Sequence, residues 1–234
     1  MSKTNPAASP WPSQAQQILS KRVLKVRWSR SSSSIFGTAL TNSTFTVFDQ
    51  FNIPLAIIKE GKGAGIEKYF MSTSRDVAYI ATAIDGTSLF KIIKPPAIAT
   101  NDFYVYTMNN RIVGGVTKKI GFVKGSFDLF IYDSTGKANS FCTFSTNSLE
   151  RSFRLKDYQS NTIGAVDLNA SASNFVFMQS EENFTVALDG NYIKRHHLVE
   201  PAKMARFIEQ PTSYGRMAVL IAAMVCCQFN RMDH

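Results

Sequence analysis

The run Met217-Ala218-Val219-Leu220-Ile221-Ala222-Ala223-Met224-Val225-Cys226-Cys227 constrains this chain more than any other stretch. It carries no charge, no Gly and no Pro, and the sequence ends seven residues later. Its composition predicts an α-helix over 215–229 that is apolar on every side. Eleven residues at about 1.5 Å each cover roughly half of the ~30 Å hydrocarbon core of a bilayer. Lengthening the run to about 18 residues would take in Gly215 and Arg216, or Gln228, Asn230 and Arg231. A simple span is therefore disfavoured. Met217, Val219, Leu220, Ile221, Met224 and Val225 need a shelter inside the protein, and a sheet closed around them supplies one.

The residues before the run read as β-structure. Alternating or β-branched segments lie at 44–49, 54–59, 66–71, 77–83, 88–93, 103–107, 111–118, 127–132, 138–144, 151–156, 162–168, 174–178 and 184–188. Turn chemistry separates them: Asp49-Gln50-Phe51-Asn52, Glu60-Gly61-Lys62-Gly63, Asp85-Gly86, Asn109-Asn110, Asp133-Ser134-Thr135-Gly136 and Asp189-Gly190. A spacing of about 8–12 residues indicates a sandwich or barrel. Strands do not alternate with long helices, so a parallel α/β sheet is excluded. A strand–turn–strand unit recurs from Val77, Phe103, Phe127 and Phe153, and Gly114-Gly115-Val116 and Gly164-Ala165-Val166 fall at matching places in second arms. Repeated antiparallel hairpins build and close a barrel. A short helix is expected over 200–208, opened by Glu200-Pro201.

The chain has 234 residues, 44% of them apolar, which suits one large globular domain. Residues 1–17, with Pro6, Pro10 and Pro12, are expected to be a disordered tail. The expected division is a flexible basic Ser/Pro-containing segment over 1–34 and a barrel domain over 35–234. A net charge of +9 favours anionic partners: phospholipid headgroups, nucleic acid or phosphorylated ligands. Three cysteines, two of them adjacent, make no disulfide framework and suit a reducing, intracellular setting. The N-terminal residues lack the apolar core of a signal peptide, so the sequons at Asn42, Asn169 and Asn183 carry no weight.

Several pieces in order resemble the phospholipid scramblase family of the tubby-like superfamily, which includes the plant LURP-one-related proteins. Ile84-Asp85-Gly86 followed by Lys91-Ile92-Ile93-Lys94-Pro95-Pro96 matches its strand–turn–strand rhythm. Ile112-Val113-Gly114-Gly115-Val116 and Thr162-Ile163-Gly164-Ala165-Val166 match its glycine-containing arms. Phe45 to Leu55 matches its opening arm, and the resemblance covers roughly 35–234. It implies an all-β barrel of about twelve antiparallel strands enclosing a C-terminal apolar α-helix. It also implies a non-enzymatic protein at membranes that binds phospholipids or moves them between leaflets. A Ca²⁺ cofactor belongs to the family, but the acidic segment proposed to hold it is not matched: Val199 to Arg216 offers only Glu200 and Glu209. No cofactor is therefore expected. The cysteine cluster that is palmitoylated in some members is also absent.

Lys21, Arg22, Lys25, Arg27 and Arg30 interleave with apolar residues and Trp28. As a functional site, they hold anionic lipid at about 1 kcal/mol per basic residue, with Trp28 at the interface level. As a structural element, they are a solvated edge strand. Six Lys/Arg and no acid over 1–48 also fit a mitochondrial transit peptide. The expected partner is an anionic phospholipid surface, at the cytoplasmic face of the plasma membrane or at the mitochondrion. No small-molecule substrate is evident. A tubby-like phosphoinositide-reading anchor is the main alternative. Nucleic-acid binding is disfavoured, because no aromatic pair stands on a recognisable nucleic-acid fold. His196-His197 lacks a third ligand, Glu181-Glu182 lacks a partner carboxylate, and Gly61-Lys62-Gly63-Ala64-Gly65 precedes no helix, so none is read as a metal, catalytic or phosphate site.

Overall fold

The computed structural model describes residues 9–35, 38–61, 77–95, 102–119, 125–146, 152–169, 181–210 and 213–232. Helix α1 (Ser13–Leu19) precedes strands β1 (Val23–Ile35), β2 (Thr38–Asp49), β3 (Pro54–Glu60), β4 (Val77–Ala83), β5 (Ser88–Lys94) and β6 (Phe103–Thr107). Then come β7 (Ile112–Lys119), β8 (Gly125–Tyr132), β9 (Ala138–Thr146), β10 (Ser152–Lys156), β11 (Thr162–Asn169) and β12 (Glu181–Ala187). Helices α2 (Gly190–Arg195), α3 (Pro201–Met204) and α4 (Tyr214–Met232) complete the chain. Each strand pairs antiparallel with the next, and β1 pairs with β12 from Val23↔Ala187 to Ser29↔Glu181, so the sheet closes into a twelve-strand barrel. The expected strands at 66–71 and 174–178 lie outside the described residues.

A twelve-strand barrel leaves a lumen wider than strand side chains alone can fill. Helix α4 fills it. Every residue from Met217 to Cys227 is at most 5% exposed, which is why the sequence could be apolar on all sides. Strand alternation supplies the surrounding layer: Leu24, Val26 and Trp28 from β1, Tyr79 and Ala81 from β4, Phe103 and Val105 from β6. Each fully buried aliphatic side chain contributes roughly 1.5–3 kcal/mol. Helix α1 adds Ala15, Ile18 and Leu19 to this core, and Trp11 meets Phe90 edge-on at 6.4 Å.

Every second connection of such a meander lies at the same end of the barrel. These five connections share one geometry. In each, the first residue's N–H donates to the carbonyl four residues on, and the fourth residue's N–H donates back to the first residue's carbonyl. The anchors are Asp49, Ala83, Thr107, Asp133 and Asp157. The fourth residue has positive φ in all five: Asn52 (65°), Gly86 (91°), Asn110 (60°), Gly136 (81°) and Ser160 (65°). This left-handed position is what Gly and Asn tolerate. Asp49, Asp133 and Asp157 each accept two turn amides on Oδ1, which fixes the turn further. The paired glycines noticed in the sequence have a common cause. Gly114 and Gly164 sit opposite register shifts at Val105/Tyr106 and Leu155/Lys156. A Cβ on Gly164 would come within 2.8 Å of the Ala187 carbonyl oxygen.

Four expectations need correction. The tail expected to be disordered over 1–17 is not so throughout: α1 begins at Ser13, and Trp11 and Ala15 are buried in the core. Residues 23–34 are part of the barrel: β1 pairs with β12 over Val23 to Ser29 and with β2 over Leu24 to Ile35, so the barrel begins at Val23 rather than at residue 35. Asp189-Gly190 is not a hairpin turn but the start of α2, where the Asp189 carboxylate accepts from Tyr192 N at 2.8 Å. The helix expected over 200–208 spans only Pro201–Met204. It is part of an arm that starts at α2, whose Ile193, Val199 and Met204 cover Val23, Ala165 and Ala187 on the outside of β1, β11 and β12. Thr162 ties the arm down, donating to Arg206 O at 3.0 Å and accepting from Ile208 N at 2.9 Å.

Candidate functional site

The basic stretch of β1 does not form one cluster. Lys21 lies 4.0 Å from Asp49. Arg22 pairs with Glu209 and donates to Leu188 O at 3.0 Å. Lys25 Nζ donates to Asn52 Oδ1 at 2.7 Å. Arg27 is exposed on the outer wall, donates to Asn183 Oδ1 at 3.0 Å and lies 4.8 Å over the Phe48 ring. Arg30 belongs to β1, and its side chain is outside the described residues. Trp28 is not at an interface: it is 3% exposed and packs in the core. The period-2 alternation that turns Lys25 and Arg27 outward turns Val26 and Trp28 inward. Lys21, Arg22 and Lys25 thus stand at the turn end of the barrel, and Arg27 stands farther along the wall.

A hollow lined by other cations lies elsewhere. Strands β9 and β10 pair only at Lys156↔Thr143 among the described residues, and their ladder lapses toward the far end. On the inner side the barrel stays closed through stacked rings: Phe144 lies 4.8 Å from Phe127 and 5.5 Å from Phe153. On the outer side, a trough of about 560 Å³ runs along this seam, walled by the arm from Leu198 to Lys203. Arg154, Lys156 and Lys203 line it together with the hydroxyls of Thr143, Ser145 and Ser152, and Ser160 stands at its turn end. Glu200, the one carboxylate among its described lining residues, pairs with Lys203 at 2.6 Å. That hydrogen bond and the lysine's charge hold the Glu200 carboxyl below the usual glutamate range. Among the described residues, three cations against one carboxylate, with Ser and Thr side chains in the same lining, suit a phosphate or another multivalent oxyanion.

The sequence passed over this site because Arg154 and Lys156 are separated by more than forty residues from Lys203. The alternation Phe153-Arg154-Leu155-Lys156 was the available signal: it sends both cations outward once the phenylalanine points in.

Other chemistry is poorly provided for. Burial pushes the Cys142 thiol well up, so it stays protonated. His196 packs against the Tyr192 ring at 4.1 Å, and His197 closes α2 in the left-handed region with φ 52°. Among the described residues, no group of three or more His, Cys, Asp or Glu is placed to hold a metal ion. Glu200 and Glu209, the two carboxylates of the 199–216 segment, face different partners, Lys203 and Arg22. The side chains of Glu181 and Glu182 and the loop from Lys62 to Gly65 lie outside the described residues. Among the described residues no helix is long and apolar enough to cross a membrane. No family model, curated protein or solved structure matches the chain.

Proposed function

We propose that the protein is a phospholipid-binding barrel that works at anionic intracellular membranes, receiving a lipid phosphate in the trough between β9, β10 and the arm. One observation carries this reading: Arg154, Lys156 and Lys203 line one hollow of about 560 Å³ beside Thr143, Ser145 and Ser152, with Glu200 the single carboxylate among its described lining residues. The net charge of +9 supports it by drawing the protein to anionic surfaces. Transbilayer movement of lipid is the activity the family resemblance implies. Binding without transport, as in a tubby-like anchor, is favoured by the use of α4 as core, which leaves that helix no part in a crossing.

The test is a reconstituted vesicle assay with and without Ca²⁺, run beside co-sedimentation on vesicles with and without anionic lipid. The wild type is expected to sediment with anionic vesicles. The triple variant Arg154→Gln, Lys156→Gln, Lys203→Gln is expected to lose most of that binding. Equal sedimentation of the two proteins would remove the trough from the reading.

A further inference from the structure

We infer that the turn end of the barrel is a membrane-docking face that presses Phe51, Ile53, Ile84, Tyr158 and Ile208 into the interfacial layer of a bilayer. The inference rests on the phospholipid reading but uses different residues. Among the described residues these five are the large apolar side chains left exposed, at 72%, 56%, 54%, 80% and 44%. Not one lies in a strand, although the outer wall of the barrel is described along twelve strands. Phe51 and Ile53 are in the β2–β3 turn, Ile84 is in the β4–β5 turn, and Tyr158 is in the β10–β11 turn. Ile208 joins them through its N–H bond to Thr162, at the start of β11. Single exposed apolar residues need no explanation, but a set confined to one end marks a contact surface.

The five follow a connected arc. Ile84 N donates to Leu55 O at 3.2 Å, joining the β4–β5 turn to the foot of the β2–β3 turn. Lys21 and Arg22 stand beside Asp49, Phe51 and Asp189 in a hollow of about 210 Å³. Arg22 reaches on to Glu209, the neighbour of Ile208. The side chains are held outward by fixed turns. Asp49 Oδ1 accepts from the N–H groups of Phe51 and Ile53, both at 2.9 Å, and Asp157 Oδ1 accepts from Gln159 and Asn161 around Tyr158. Little conformational entropy is left to lose on insertion.

The shape and chemistry select a bilayer as occupant. The apolar groups stand on separate tips along a rim and do not form a groove that a folded partner could fill. Lys21, Arg22 and Lys25 lie between them, where lipid headgroups would sit. Docking this end also brings the turn end of the trough to the headgroups, because Ser160 in the trough and Tyr158 on the rim belong to one turn. Acidic residues share the rim, so apolar insertion is the larger contribution and should leave a component of binding that survives added salt.

The experiment uses the full chain, the variant Phe51→Ser, Ile84→Ser, Tyr158→Ser, and vesicles of phosphatidylcholine with and without phosphatidylserine. Inositol hexakisphosphate serves as a soluble probe of the trough. The variant should melt like the wild type, because the replaced side chains are exposed. Its vesicle affinity should fall at least about tenfold, given the apolar area withdrawn, with binding of the soluble probe unchanged. A tryptophan placed at Phe51 or Ile84 should shift to the blue on vesicles and be quenched by brominated acyl chains, and one placed at Lys59 on the wall should not. Unchanged vesicle affinity in the variant, or absence of quenching at both rim positions, overturns the docking face even if the trough binds the probe. A wild-type dimer in light scattering that the variant disperses also overturns it, and assigns the rim to a second copy of the chain.

Discussion

Two basic regions of this barrel differ in how visible they are in the sequence and in what they have to offer a ligand. The stretch around β1 is conspicuous, yet its cations are already occupied. Lys21 faces Asp49, Arg22 pairs with Glu209, Lys25 binds Asn52, and Arg27 lies on Asn183 and Phe48. The pair on β10 is easily overlooked, yet it faces a hollow and gains a third cation, Lys203, itself paired with Glu200, from an arm far along the chain. Clustering along a strand spreads charge over two faces and many neighbours. Convergence across a tertiary gap concentrates it.

The most drastic way to break the comparison is to remove the scaffold that presents both regions. Leu220→Asp places an unpaired carboxylate where the wild-type residue is 1% exposed. The cost is several kcal/mol, a large part of the stability of an ordinary domain. Loss of the cooperative melting transition is the expected result, and a soluble variant that melts like the wild type would contradict the buried position of α4.

A direct contest between the two regions comes next. Two sets of Gln substitutions are compared on anionic vesicles: Arg154, Lys156 and Lys203 in the trough, and Lys21 and Arg22 just before β1 with Lys25 and Arg27 on it. Both should weaken binding and leave neutral vesicles unaffected. The trough set is expected to cost about tenfold, and the β1 set less, since exposed pairs already satisfied by neighbours contribute 0–1 kcal/mol each. A larger loss from the β1 set would reverse the assignment.

Acid should separate the scaffold from the site. Side-chain bonds from Thr135 and then Asn139, with the Lys137 amide, hold the Asp133 carboxyl down to about 2. An unfolded Asp titrates near 3.9, so the stabilisation is fully present above about pH 4 and is lost as the pH falls toward 2. The melting-temperature gap between wild type and Asp133→Asn should therefore close between pH 5 and pH 2. A gap that stays constant would mean that these hydrogen bonds do not favour the charged form.

Calcium should change least. Glu200 and Glu209 are held apart by Lys203 and Arg22. Calorimetric titration is expected to show no site tighter than about 10 µM, because such sites gather several carboxylate and carbonyl oxygens. A tighter site lost on Glu200→Gln and Glu209→Gln would overturn this.

What the sequence made legible was whatever local chemistry decides. The all-round apolarity of 217–227 announced a buried helix. Asp and Asn-Gly type turns announced the hairpins, because few residues accept the left-handed position. Strand β1 was harder to read. Ser31 to Ser34 have weak strand preference, and pairing with Ala39 to Asn42 of β2 draws the stretch into the sheet. Trp28 followed from the alternation of its own neighbours, but its basic context suggested an interface. Of the trough, only the outward turn of Arg154 and Lys156 could be read, since its seam forms between β9 and β10 and its wall arrives with the arm.

The closure of β1 on β12 sets an order of events during synthesis. The strand at Val23 waits for a partner that ends at Ala187, and the lumen waits for α4, which begins at Tyr214. Until those last residues leave the ribosome, the inward faces of the strands already made have nothing to pack around. Contacts this distant in sequence place the chain among slow folders, in the range of about milliseconds to seconds. Over that interval its apolar strands are open to aggregation, and a chain cut before α4 would emerge as a barrel with no core.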